Sequence, residues 1–144
     1  MITLNRLIEE TKKELSFTIR AERINDVERF EQNGLFYFYI RIFLARVAPK
    51  VISSSSASYS SEDQQLDYND IKYVVYNLDP TFPQPIRKSD TGNQFEIKIW
   101  TYGFFKVTAN IFTNNGAVFT ISDVPISFEV SEEEKKKNGS EVVW

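Results

Sequence analysis

Apolar residues change their spacing once near the start of the chain. Leu4, Leu7, Ile8, Thr11 and Leu15 fall at helical intervals, with Glu9, Glu10, Lys12, Lys13 and Glu14 mostly on other faces. This predicts a short amphipathic helix over residues 1–15. From Leu15 the interval becomes two: Phe17, Ile19 and Ala21 alternate with Thr18, Arg20 and Glu22, the pattern of a strand with one wet face. NDVERFEQNG interrupts it and ends on Asn33–Gly34, a turn pair. In LFYFYIRIFLAR, Phe36, Phe38, Ile40, Ile42 and Leu44 then share one face, with Tyr37, Tyr39, Arg41 and Phe43 on the other. A second strand is expected there, its second face partly covered.

SSSSASYSSEDQQLDYND is serine-rich and low in apolar residues, and reads as a solvated connector. Strand patterns resume at IKYVVYNL, QFEIKIW, FFKVTANIF, AVFTI and PISFEV, with a hairpin turn at Asn114–Asn115–Gly116. About seven to eight strands and one terminal helix predict an all-β, two-sheet antiparallel sandwich over residues 16–130. Residues 131–144, SEEEKKKNGSEVVW, read as a charged tail or the start of a linker.

Composition narrows the chemistry. The 144 residues suit one domain. There is no cysteine and no histidine, which excludes disulfides, thiolate metal sites, cysteine nucleophiles and the commonest general base. A hydrolase built on carboxylates such as Asp79 and Asp123 lacks any visible nucleophile–base pairing or metal-ligand spacing. The expectation is a non-enzymatic protein without cofactor or metal. The net charge of −3, with Lys and Arg scattered among Asp and Glu, gives no footprint for nucleic acid or anionic membrane. The N-terminus lacks the apolar core of a signal peptide, and no run approaches the roughly 20 apolar residues of a membrane span. A cytoplasmic protein without membrane insertion is expected.

Aromatic residues make up 15% of the chain. Phe36, Phe38, Phe95, Phe105, Phe112, Phe119 and Phe128 fall on strand patterns and are expected in the core. Phe82 and Tyr102 fit the strand patterns less well. Phe82 stands among Pro80, Pro83 and Pro85 in LDPTFPQP, where fixed φ angles stiffen the loop. Tyr102 stands in WTYGFF, where Gly103 can take positive φ and turn the chain outward.

IKYVVYNLDPTFPQPIRK followed by FEIKIWTYGFFKVTANIFTNNG resembles the YEATS domain, and most of all its prokaryotic form. The family has a Val–Val/Ile–Tyr/Phe–x–Leu strand leading to a Ser/Thr–Phe–x–x–Pro loop, and a later strand leading to a Gly–aromatic–Gly/Ala–x–Phe turn. The resemblance is clearest from Ile71 to Phe128. It implies an immunoglobulin-like sandwich whose loops at one end recognise acylated lysine. Phe82 and Tyr102 match the two aromatic walls and Thr81 the preceding hydroxyl, with Phe30 the candidate for a further ring. Trp100, Thr101, Gly103 and Asp79 complete the expected ligand-binding set. Asp79 stands where eukaryotic readers carry His, Thr101 replaces the first Gly of the turn, and Phe104 occupies a position usually small or polar.

The chemistry suits such a ligand. Acylation removes the lysine charge, so the site needs π-faces to stack on a flat amide and polar groups to satisfy it, since burying those atoms unpaired costs roughly 1–3 kcal/mol. The resemblance implies an acylated-lysine peptide or protein as partner. The alternative is a sandwich that has lost the pocket and serves as a protein–protein adaptor in a bacterial signalling or defence system.

Overall fold

A computed structural model describes residues 16–47 and 66–139. The predicted helix over residues 1–15 and most of the serine-rich connector lie outside the described residues. The strands are β1 (Phe17–Arg23), β2 (Phe30–Gln32), β3 (Leu35–Arg46), β4 (Ile71–Asn77), β5 (Ile86–Ser89), β6 (Ile97–Thr101), β7 (Phe105–Thr113) and β8 (Val118–Ile126). A 3-10 turn, Tyr68–Asp70, precedes β4, and one short helix, α1 (Glu132–Asn138), follows β8.

Two antiparallel sheets result. In the first, β3 pairs with β1, β2 and β6 along different parts of its length; the second runs β5-β4-β7-β8. The alternation in β3 decides its orientation, since a one-residue slip would turn its apolar face to water. Phe38, Ile40, Ile42 and Leu44 point inward and are fully buried. They meet Val74, Tyr76, Val107, Ala109 and Ile111 of the second sheet. Phe17 and Ile19 of β1 close the same layer. The architecture is the expected immunoglobulin-like antiparallel sandwich, with eight strands among the described residues.

Turn chemistry fixes the hairpins. Asn33 and Gly34 both have positive φ, 55° and 80°, and join β2 to β3 with Gln32 opposite Leu35. Two left-handed residues in a two-residue loop match strand twist, which Asn-Gly tolerates best. At Asn114–Gly116, the Thr113 hydroxyl accepts from the Ala117 amide at 2.9 Å and ties β7 to β8.

Several elements differ from the sequence expectation. The last four residues of AVFTI and the first two of PISFEV belong to one strand, β8, which ends at Ile126 and is interrupted by a register shift beside Val107, with Asp123 at φ 51° and its amide donating to Thr108 Oγ1. QFEIKIW begins as a turn, Gln94 and Phe95 having φ 58° and 53°, and becomes strand only at Ile97. The Tyr76 hydroxyl, fully buried, donates to the Phe95 carbonyl at 2.7 Å and holds this turn; burial pushes its pKa up. Phe112 is not core: it stacks on Tyr73 on the outer face of the second sheet. Leu66–Asp70, read as connector, packs Leu66 and Tyr68 against the core, and the Tyr68 hydroxyl donates to the Leu44 carbonyl.

The largest correction concerns residues 131–139. They are not a frayed tail but a capped, docked helix. Ser131 and Glu134 form a reciprocal capping box, and Glu134 and Asn138 are 3% and 2% exposed. Glu134 pairs with Arg23 at 2.9 Å and also with Arg29.

Candidate functional site

Two segments converge at one end of the sandwich. The first is the proline-rich loop between β4 and β5. Its ends are joined by the Leu78 amide donating to the Pro85 carbonyl at 2.8 Å. Inside, the Phe82 amide donates to the Asp79 carbonyl at 3.0 Å, a β-turn with Pro80 at the position its fixed φ favours. The Asp79 side chain completes the turn: Oδ1 accepts from the Thr81 amide at 2.9 Å and from the Thr81 hydroxyl at 2.8 Å. These bonds, the backbone one first, hold the Asp79 pKa below its ordinary value. Arg87 closes the far side by donating to the Gln84 and Pro83 carbonyls. The loop is therefore fixed by hydrogen bonds as well as by prolines.

The second segment is the turn from β6 to β7. Gly34, Gly116 and Gly139 are the glycines of positive φ among the described residues, so the expected left-handed Gly103 does not make this turn. Thr101, in place of a glycine, does so with its side chain. Its buried hydroxyl donates to the Gly103 carbonyl at 3.1 Å and accepts the Gly103 amide at 3.3 Å. From the other side, Asn138 of α1 donates to the Tyr102 carbonyl at 2.9 Å. The same side chain accepts from the Phe36 amide at 2.7 Å and donates to the Phe36 carbonyl at 3.2 Å.

Between the segments lies a cavity of about 670 Å³ lined by Phe30, Tyr37, Asp79, Thr81, Phe82, Pro83, Trp100, Thr101, Tyr102, Gly103, Phe104 and Phe105. All eight candidate residues named from the sequence line it, and the structure adds Tyr37, Pro83, Phe104 and Phe105. One wall is a connected aromatic array: Phe30 stacks on Tyr37 at 5.1 Å, meets Trp100 edge-on at 4.8 Å, and Tyr37 meets Tyr102 edge-on at 5.5 Å. Register explains it, because Phe30 is opposite Tyr37 and the inward turn of Phe38 sends Tyr37 outward. Phe30, Trp100 and Tyr102 are about 40% exposed. Across from them, Phe82 leans on Phe105 at 4.8 Å and is anchored on the core. Phe104 sits edge-on to Phe128. The period-two pattern carried the signal for Tyr37 on the outer face of β3; nothing local marked Phe105, which the same pattern assigns to the core.

Residues 57–123 match the family model of the prokaryotic YEATS domain. Over these residues, just under half of the chain, the protein is similar to the prokaryotic YEATS domain. The match spans both cavity segments, Asp79–Pro83 and Trp100–Phe105, while Phe30 and Tyr37 lie outside it. Among solved structures, the Yaf9 YEATS domain recognizing an H3K122suc peptide is 16% identical over 83% of this chain and 72% of that one, TM-score 0.48. The yeast AF-9 homologue Yaf9 is 16% identical over 81% and 71%, TM-score 0.47. The Yaf9 YEATS domain bound to H3K27ac is 16% identical over 80% and 74%, TM-score 0.46. No curated protein matches.

Proposed function

We propose that this chain is a YEATS-like, non-catalytic binding module that takes an acylated lysine side chain, carried on a peptide or protein, into the aromatic cavity. The observation that supports this reading is the meeting, in one cavity, of two aromatic walls and the Thr81 hydroxyl, oriented by Asp79. The volume lies within the roughly 300–1,000 Å³ of small-ligand sites. Phe82 supplies one π-face and Tyr102, in edge contact with Tyr37, the other. A flat amide stacked between them needs its N–H satisfied. Thr81 spends its one proton on Asp79 and so offers its lone pairs to that N–H.

The reading is of a module without catalysis. Asp123 does not line it, and among the described residues no three His, Cys, Asp or Glu side chains could hold a metal. No described helix is long and apolar enough to cross a membrane, and the reading is of a cytoplasmic module.

The test is an NMR titration of the chain with acetyl- and crotonyl-lysine peptides against the unmodified lysine peptide. Saturable shifts at Thr81, Phe82 and Tyr102, lost in folded Phe82→Ala and Tyr102→Ala, are the expected result, even at a Kd of about 1 mM. Absence of shifts at millimolar ligand would sink the reading in favour of an adaptor that binds folded partners.

A further inference from the structure

We propose that Asp79 makes this cavity selective for uncharged acyl groups and closes it to acyl chains ending in a carboxylate. The proposal rests on the acyl-lysine reading and deepens it. Asp79 is the single acidic residue in the lining: the other eleven of the twelve residues are aromatic, Thr, Pro or Gly, and none is Lys or Arg. A carboxylate entering the cavity meets a like charge in its lining, with no Lys or Arg there to offset it. Like-charge juxtaposition of this kind is unfavourable and suppresses the wrong ligand.

The carboxylate is held in place. Both donors come from Thr81, two residues on, and both end on Oδ1. The loop behind them is closed by Leu78–Pro85 and by Arg87, so Asp79 does not swing away at little cost. The depressed Asp79 pKa, caused by the same two bonds, keeps the group ionised at neutral pH.

The hydroxyl adds a second discrimination. With its proton given to Asp79, Thr81 accepts and does not donate to a ligand. A neutral amide N–H complements it; a carboxylate offers no donor. Thr101 is also committed, to Gly103. The remaining side-chain donors in the lining belong to Tyr37, Tyr102 and Trp100, on the aromatic wall. The Asp79 charge and the acceptor-only Thr81 hydroxyl therefore both disfavour a terminal carboxylate on their side of the cavity.

The experiment compares one peptide carrying acetyl-, crotonyl-, succinyl- or trimethyl-lysine, titrated into the wild-type chain, Asp79→Asn and Asp79→Glu at pH 7. Spectral dispersion reports that each variant is folded. The wild type is expected to bind the succinyl peptide at least about tenfold more weakly than the acetyl peptide. Asp79→Asn, which keeps an oxygen for Thr81, should narrow that ratio several-fold, and Asp79→Glu should preserve it. Equal wild-type affinity for acetyl and succinyl peptides, or a ratio unchanged in Asp79→Asn, overturns the proposal and leaves the acyl-lysine reading standing. Tighter binding of the trimethyl than the acetyl peptide also overturns it, since an aromatic cavity with a carboxylate is then serving a cation. Failure of every acylated peptide to bind overturns the parent reading, and the proposal with it.

Discussion

Phe82 and Tyr102 face the same cavity from opposite supports, and that difference sets what each substitution costs. Phe82 is half-buried and leans on Phe105, so Phe82→Ala is expected to lose about 1–3 kcal/mol, less than the ~3–5 of a fully buried Phe. Tyr102 is 41% exposed and touches Tyr37 edge-on; Tyr102→Ala should cost less than about 1 kcal/mol. Urea denaturation of the two variants checks the order, and a larger loss for Tyr102→Ala would contradict it. The candidate residues were legible at this scale because Pro, Gly and aromatic residues announce stiff loops and outward rings. What stayed hidden is the Asp79–Thr81 bond and the Thr101 hydroxyl, which depend on how a side chain folds back on its own loop.

Among the elements, α1 has the most to say about the cavity. Asn138 joins it to both polar backbone groups of Phe36 and to the Tyr102 carbonyl. Asn138→Ala leaves these groups without that partner in a buried place, at an expected cost of about 2–4 kcal/mol, read by urea denaturation. Amide exchange at Phe36 should quicken in the same variant; unchanged exchange and stability would show the bonds to be inconsequential. The helix was misread as a tail because its buried residues are Glu134 and Asn138, both polar, and SEEEKKKN has no apolar stripe. The signal that was present is Ser131–x–x–Glu134, a capping box. β3 was read correctly because twelve residues alternate without a break. β2 and β5 were missed because FEQ is wholly exposed and IRKS buries only Ser89, so neither carries a period. β8 was split because left-handed Asp123 and Pro125 interrupt its pattern.

For the molecule as a whole, acid tolerance is tied to one buried carboxylate. Burial pushes the Glu134 pKa up, but the bonds from Arg23, the Ser131 amide and Arg29 outweigh it and bring it down to about 2 from an ordinary 4.5. A folded pKa below the unfolded one gives stability that is complete above about pH 4.5 and is lost as pH falls through about 2. The shift corresponds to roughly 2–4 kcal/mol. Glu134→Gln should therefore be less stable than wild type at pH 7 by about that amount, the gap closing toward pH 2; a gap that does not change with pH would assign the loss to packing instead. The sandwich itself was legible from alternation and turn residues, whereas this ion pair joins positions 23 and 134, a separation no local pattern encodes.

The Asn138 bond to the Tyr102 carbonyl gives the C-terminal segment a thermodynamic stake in the cavity. Ordering of the Tyr102 turn and docking of the helix favour one another through this bond, and the coupling energy is the same in both directions. A molecule that grips residues 132–138 would thus retune affinity at the opposite end of that hydrogen bond without entering the cavity.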